Sequence, residues 1–172
     1  MADLLKDYRM EPLKSFDTLT EADGRWATFS LDLPRLYEIA EGMTLRENVP
    51  EYVLVQFQQA QHLLIYSHLQ FSLLSVALTQ ALIAVEFALM TRWKNDATRP
   101  PSKHKSLPGL TKLLEYAFEK NWLNGFDKNL IEFIPALRNA SAHGEYTLNP
   151  VGTLDLVNMC GRLIQQLFSE RC

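Results

Sequence analysis

Residues 52–85 read YVLVQFQQAQHLLIYSHLQFSLLSVALTQALIAV, without a single charged residue, proline or glycine. In the second half of this stretch, and just beyond it, apolar residues recur at three- and four-residue spacing: Leu74, Ala77, Leu78, Ala81, Leu82, Val85, Ala88 and Leu89. This period predicts a core helix. A helix that is uncharged all round is typically buried against its own domain and against either a second subunit or another segment. The stretch therefore suggests a helix at the centre of a dimer.

A membrane span is the alternative interpretation of the same stretch. A spanning helix needs about 20 consecutive, predominantly apolar residues. Here polar glutamine and histidine residues interrupt the apolar run, at Gln56, Gln58, Gln59, Gln61, His62, His68, Gln70 and Gln80. We therefore favour a buried helix and expect no membrane span.

The boundaries of this helical region are marked by local signals. Asn48 and Glu51 have the spacing of a capping box, and Pro50 between them is accepted in the first turn of a helix. One helix from Pro50 to Asn95 would far exceed the usual three or four turns, so we expect a break near Ser67 to Gln70.

Three more helices are predicted after a proline-containing loop at residues 96–108. The first has an amphipathic stripe from Leu110 to Phe118 and stops near Asn121. The second is capped by Asp127, contains Pro135 and ends at Gly144, and the third opens with the cap and first-turn pair Asn149 and Pro150.

The first 49 residues differ from the rest. Trp26 to Leu33 alternates roughly as a strand does, and Asp23-Gly24 is a turn signal, so a short β-hairpin over Phe16 to Leu33 is one interpretation. Pro34 to Glu41, stopped by Gly42, predicts a short helix. The expected organisation is a small N-terminal appendage at residues 1–49 and, at residues 50–172, an all-α bundle of four to five helices with long central helices.

The charge composition excludes nonspecific binding of a polyanion through an overall positive field. Seventeen Lys and Arg against twenty Asp and Glu give a net charge of −3, so no overall positive field attracts a polyanion. Any contact with nucleic acid must come from a local site. With only Cys160 and Cys172, and no apolar leader after Met1, we expect a reduced cytoplasmic protein.

The segment Ala136-Leu137-Arg138-Asn139-Ala140-Ser141-Ala142-His143-Gly144 is the strongest candidate for chemistry. On a helix, Asn139 and His143 share a face, and the long side chain of Arg138 reaches the same cleft. In the last turn the helix dipole favours the protonated form of His143. The alternative is that Arg138 and His143 only cap and solvate a helix end. Arg99 and His104 have the same spacing among prolines, so spacing alone is weak evidence.

Glu86 is a candidate partner for Arg138. It is the one carboxylate on a nearly apolar helix, where an unpaired buried charge would cost several kcal/mol. A bidentate pair with Arg138 would hold the guanidinium and leave donors for a phosphate. The other interpretation is that Glu86 points to solvent or pairs with Lys94.

These residues resemble the HEPN (higher eukaryotes and prokaryotes nucleotide-binding) superfamily, whose motif is Arg, four to six residues and His, usually with Asn, Asp or His directly after the arginine. Arg138 to His143 matches with four intervening residues and the favoured asparagine. The order of predicted helices over residues 70–170 is also similar: a long apolar helix with an embedded polar residue, a loop, a shorter helix, the motif helix and a closing helix.

The resemblance implies a homodimer with a shared cleft and, in many members, a metal-independent endoribonuclease of toxin or phage-defence type. His143 would act as general acid or base on RNA, Arg138 would stabilise the phosphorane, and Asn139 would orient the pair. The products would be 2′,3′-cyclic phosphate and 5′-OH ends. Some family toxins are paired with nucleotidyltransferase antitoxins and carry a tyrosine two residues after the histidine, whereas Tyr146 lies three after it.

No metal, phosphate-loop or nucleophile-elbow motif accompanies these residues, and we expect neither metal nor cofactor. The aromatic residues Trp93, Tyr116, Phe118, Trp122 and Phe126 are interpreted as core and not as base-stacking platforms, because no basic residues interleave them in a groove-like pattern. A noncatalytic HEPN-like homodimer that binds a protein or a nucleotide through the same cleft is the second functional interpretation.

Overall fold

Six α-helices make up most of the chain in the computed structural model, which describes residues 13–100, 107–142 and 149–169. The helices are α1 (Leu33–Gly42), α2 (Glu51–Tyr66), α3 (Leu73–Lys94), α4 (Leu110–Glu119), α5 (Leu130–Ala142) and α6 (Pro150–Leu167). Two short 3-10 helices, Phe16–Thr18 and Gly24–Phe29, precede them. The described residues contain no strand, so the predicted all-α class is confirmed.

The central element is α3, because α2, α4, α5 and α6 all pack against it. α1 packs on α2, and α4 also contacts α5. The whole apolar stripe predicted from residues 74–89 is buried. Since full burial of a leucine side chain contributes about 1.5–3 kcal/mol, this stripe supplies much of the stability of the bundle.

The opposite side of α3 is exposed. Val76, Ile83 and Phe87 keep 46%, 39% and 41% of their surface accessible in the single chain. By length and composition alone α3 also qualifies as a membrane span, and half of its most apolar window is buried within the fold. The core helix of a soluble protein passes the same test, so this property carries little weight.

The break between α2 and α3 lies where it was predicted, at residues 67–72, but the start of α2 differs from the prediction. No side chain caps α2. Asn48 instead donates through Nδ2 to the carbonyl of Phe168 and accepts from Gln165 Nε2 at 2.8 Å. The capping box is therefore wrong, because Asn48 is used in a tertiary contact with the end of α6.

The later helices follow their sequence signals. Asn149 Oδ1 accepts hydrogen bonds from the backbone of Val151 and Gly152 at the start of α6. Pro135 lies inside α5, and Asn121 takes a left-handed φ of +54° just after α4. The predicted end of α5 at Gly144 falls outside the described residues.

The N-terminal segment does not form the β-hairpin. Asp23 accepts a hydrogen bond from the Arg25 backbone N–H and opens the 3-10 helix, which ends at Ser30 with a left-handed φ of +53°. Trp26 is 1% exposed and donates from Nε1 to the Ser67 carbonyl at 2.6 Å. The alternating pattern therefore predicted a strand wrongly. Trp26 and Asp23 form hydrogen bonds with the turn between α2 and α3, and the chain between them is part of a 3-10 helix.

Asp23 fastens this segment to the turn between α2 and α3. Its backbone N–H donates to the His68 carbonyl at 2.8 Å, and its carboxylate accepts from the Phe71 N–H at 3.0 Å. Arg25 adds two side-chain hydrogen bonds to the same carboxylate. These contacts hold the pKa of Asp23 well below its usual range, chiefly through the Arg25 hydrogen bonds. The described part of residues 1–49 shares its core with α2, through Trp26, Leu36 and Ala40.

Candidate functional site

Helix α5 carries the described part of the motif. Ile134 and Leu137 are buried and anchor the helix in the core, while Arg138 and Asn139, which follow directly, reach the surface. The helical repeat explains this change of environment, since each residue turns the side-chain direction by about 100°. Arg138 and Asn139 are therefore held on a helix that is itself fixed by packing.

Arg138 forms an ion pair with Glu86 of α3. Arg138 Nε lies 3.7 Å from Glu86 Oε2, and the two side chains are 42% and 36% exposed. Of the two interpretations of Glu86, the pairing with Arg138 is the one observed. The expected bidentate, buried pair is wrong, however, because Glu86 lies at the edge of the exposed side of α3. A single half-exposed contact of this kind contributes about 0–1 kcal/mol.

The guanidinium of Arg138 keeps most of its donors. Within residues 13–100, 107–142 and 149–169, the contact with Glu86 is the ion pair it makes, and no hydrogen bond engages its terminal NH₂ groups. Those groups are the ones that form paired hydrogen bonds with phosphate oxygens. Glu86 contacts Arg138 at Nε and does not engage the two terminal NH₂ groups.

The remaining motif residues are only partly described. Asn139 is exposed, and Ser141, one turn after Arg138, has a buried Oγ that no described hydrogen-bonding group contacts. Ser141 was not among the predicted site residues, although a small polar residue inside the motif is the signal that would have suggested it. His143 and Tyr146 lie outside the described residues, so only Glu86, Arg138 and Asn139 have structural positions.

An uncharged surface borders this ion pair. We define the outer apolar surface as Tyr52 and Val55 of α2 with Val76, Ile83 and Phe87 of α3, all between 39% and 50% exposed. Tyr52 meets Phe87 edge to face, with ring centroids 5.6 Å apart. Phe87 follows Glu86 in sequence. The ion pair therefore lies at the margin of this surface.

Glutamines continue the outer apolar surface without adding charge. Gln80 Nε2 lies 3.1 Å from both Gln56 Oε1 and Gln59 Oε1, which ties α3 to α2. From Tyr52 to Val85 the two helices have no ionisable side chain except histidine and tyrosine. Such an extended uncharged face is typical of an interaction surface.

Cations lie against four of the five aromatic residues that were predicted to be core. Trp122 is buried as expected, whereas Trp93, Tyr116, Phe118 and Phe126 are partly buried and pack against the core. The pairs are Arg92 on Trp122, Arg99 on Trp93, Lys120 on Tyr116 and Arg162 on Phe126, with 5.1, 5.2, 5.3 and 5.9 Å between the cation and the ring centroid. Lys120 and Tyr116 are only four residues apart, whereas Arg92 on Trp122 and Arg162 on Phe126 join distant segments that only the fold brings together.

Metal ligands do not cluster in the described ranges: no group of three or more His, Cys, Asp or Glu side chains is arranged to hold an ion. No protein-family model matches the chain, and no curated protein or solved structure shows significant similarity to it. The resemblance to HEPN domains therefore rests on residues 138–143 and on the order of the helices.

Proposed function

We propose that this protein is a metal-independent endoribonuclease of toxin or phage-defence type, which cleaves RNA in a cleft between two copies of the chain. The observation that supports it is Arg138, held by Glu86 at the surface with its terminal donors directed at no described group. A guanidinium in that state is suited to a phosphodiester or to the phosphorane formed from it.

The proposed reaction uses the 2′-OH of RNA as the nucleophile. Either His143 takes the proton of the 2′-OH and solvent protonates the departing 5′-oxygen, or solvent takes the 2′-OH proton and His143 protonates the 5′-oxygen, as the 2′-oxygen attacks the adjacent phosphorus. Arg138 stabilises the added negative charge, and Asn139 orients the pair. The bond from phosphorus to the 5′-oxygen breaks, which leaves 2′,3′-cyclic phosphate and 5′-OH ends. DNA, which lacks the nucleophile, stays intact.

The homodimer in this proposal forms through the outer apolar surface. A second copy placed there would cover Ile83 and Phe87, which the single chain leaves about 40% exposed. Because Glu86 and Arg138 lie at the margin of that surface, a twofold arrangement would bring two Arg138 side chains to one cleft. A cognate nucleotidyltransferase-like antitoxin is the further partner implied by the resemblance.

A noncatalytic dimer that binds a protein or a nucleotide is the second candidate. The net charge of −3 favours it, since a nuclease with little positive field must rely on a few local contacts to hold RNA. Both candidates use the same surface and the same arginine. Only chemistry distinguishes them.

The test is incubation of the purified protein with a structured RNA in EDTA, with analysis of both cleavage and 3′-end chemistry. We expect cyclic-phosphate ends from the wild type and a loss of at least about 100-fold in His143→Ala and Arg138→Ala, the range typical of a general acid–base group or a charge-stabilising donor.

His104→Ala is the matched control, because Arg99 and His104 repeat the spacing of Arg138 and His143 elsewhere in the chain. It should cleave like the wild type. If a folded wild-type protein leaves RNA intact, or if cleavage survives in His143→Ala, the nuclease proposal is wrong and the binding module takes its place.

A further inference from the structure

A polar pocket of about 420 Å³ lies where α3 and α4 end, away from the motif helix in sequence. Its lining includes Arg92, Asn95, Asp96, Thr98, Lys120 and Trp122. Nothing in the proposed ribonuclease chemistry uses these residues.

Arg92 is the unusual member of this lining. Its guanidinium lies over the Trp122 ring, with Cζ 5.1 Å from the centroid. Its Nε has no access to solvent and finds no acceptor in the described part of the chain, and no described carboxylate lies within ion-pair distance of it. A buried N–H without an acceptor is destabilising, most of all on a charged group. The terminal NH₂ groups of Arg92, which form no hydrogen bond with a described residue, are the donors that a ligand in the pocket would engage.

Asp96, the carboxylate that lines the pocket, accepts hydrogen bonds from other groups. Its Oδ1 accepts from the Thr98 backbone and hydroxyl at 2.9 and 2.8 Å, and its Oδ2 accepts from the Tyr116 hydroxyl at 2.7 Å. Lys120 Nζ lies 4.0 Å from the same Oδ2. Chiefly the Thr98 N–H and the Tyr116 hydroxyl lower the pKa of Asp96 to about 2, so it is ionised at neutral pH.

The carbonyl groups at the helix ends accept hydrogen bonds from groups other than Arg92. The Lys94 carbonyl accepts from Arg99 Nη1, and the Trp93 carbonyl accepts from the Asp96 N–H. The last carbonyls of α4 accept the backbone N–H groups of residues 120–122. Arg92 is therefore not needed as a helix cap.

The local charge favours an anion. Residues 92–99 and 116–122 contain four cationic side chains, Arg92, Lys94, Arg99 and Lys120, and two carboxylates, Asp96 and Glu119. Each helix C-terminus adds a partial charge of about −0.5. Together these leave a surplus of about one positive charge, in a chain whose net charge is −3.

We infer that this pocket binds a phosphate group, with Arg92 as the main donor and Lys120 as the second cation. The tetrahedral oxygens of a phosphate accept the parallel N–H groups of a guanidinium, which matches the unfilled capacity of Arg92. The phosphate comes either from the backbone of a single-stranded nucleic acid or from a small phosphate ester. The inference does not depend on RNA cleavage.

Binding of a fluorescent single-stranded DNA oligonucleotide tests the first source. DNA lacks the 2′-OH, so the probe stays uncleaved whether or not the ribonuclease proposal is correct. We expect Arg92→Gln to weaken binding about tenfold and to reduce the dependence of log K on log salt by about one, as for a lost phosphate contact. Inorganic phosphate tests the second source, through an increase in Tm beyond that in chloride of equal ionic strength.

Arg35→Gln is the matched control, since Arg35 is an exposed arginine of α1 that pairs with Glu38. It should change binding less than twofold. Arg92→Lys retains the charge but loses the paired N–H groups, so its oligonucleotide affinity should lie between those of the wild type and Arg92→Gln. An unchanged Tm of both variants without ligand separates a binding loss from misfolding. A response to either probe that Arg92→Gln removes supports the site and identifies the source. No response to either probe, or equal losses in Arg92→Gln and Arg35→Gln, overturns it.

Discussion

Phe57 of α2 lies against Gly161 of α6 so closely that a Cβ on the glycine would be 2.8 Å from Phe57 Cζ and 3.2 Å from Cε1. Phe57 is 1% exposed, so its ring has little room to move. The absence of a side chain at position 161 therefore lets an aromatic ring of α2 reach the backbone of α6.

Gly161→Ala should destabilise the protein. Overpacking a filled core costs about 1–3 kcal/mol, which exceeds the gain of up to about 1 kcal/mol in helix propensity. Chemical denaturation measures the difference. Gly152→Ala in the same helix is the control, since a Cβ there meets nothing within 4 Å. A Gly161→Ala variant as stable as Gly152→Ala would contradict the close packing.

Acid should weaken the attachment of the N-terminal segment through Asp23. Its folded-state pKa is depressed, so its contribution to stability is fully present above the unfolded value of 3.8 and is lost as pH falls below it. Between about pH 5 and pH 2.5 the unfolding free energy of Asp23→Asn should fall less steeply than that of the wild type. The difference in slope should correspond to up to about one proton taken up on unfolding.

Trp26→Phe is the comparison for Asp23→Asn. It removes the hydrogen bond to the Ser67 carbonyl but keeps the carboxylate. It should lower stability at neutral pH and retain the pH dependence of the wild type. If Asp23→Asn and the wild type lose stability equally in acid, the carboxylate does not have the assigned role.

The Cys160 thiol should be unreactive in the folded protein. It is completely buried, and burial raises its pKa to about 12, whereas thiol reagents attack the thiolate. In a Cys172→Ser variant, which leaves Cys160 as the single thiol, a disulfide reagent at pH 8 should label the protein only as denaturant unfolds it. Rapid labelling of the folded variant would show that the α6 core opens.

The coupling between Glu86 and Arg138 should be small. At 3.7 Å and more than a third exposed, the pair is screened by water and salt. A double-mutant cycle with Glu86→Gln and Arg138→Gln should give a coupling of about 0.2–1 kcal/mol that decreases at 0.5 M salt. A coupling of several kcal/mol, unchanged by salt, would contradict a half-exposed pair.

Self-association should depend on Ile83. Ile83→Glu places a charge in the outer apolar surface, and burying an unpaired carboxylate there would cost several kcal/mol. Sedimentation should show a dimer for the wild type and a monomer for this variant. Val151→Glu is the control, because Val151 is a 51% exposed apolar residue on α6, outside that surface. A monomeric wild type would contradict the proposed dimer.

Local signals were sufficient for most of the helices. Pro50 predicted α2, the pair Asn149-Pro150 predicted α6, and the apolar stripe of residues 74–89 predicted α3. A proline, a side-chain cap and a 3.6-residue period each act on residues only a few positions away in the chain. The break between α2 and α3 followed from helix length. The all-α class could therefore be derived without knowledge of the packing.

Contacts between distant segments explain where that reasoning was wrong. Asn48 caps nothing because Gln165 and Phe168 approach it in space, and residues 16–33 form 3-10 turns because the turn after α2 offers them hydrogen-bond partners. In both cases a tertiary hydrogen bond outweighs a local preference that is worth about 1 kcal/mol.

Residue pattern was enough to identify the six α-helices and the chemically notable residues, Glu86 and Arg138 among them. The half-exposed contact between these two side chains, and the position of Arg92 on Trp122 beside a pocket, follow from how the helices pack. The physical reason is that period and capping depend on neighbours along the chain, whereas burial, charge pairing and stacking depend on which helix faces which.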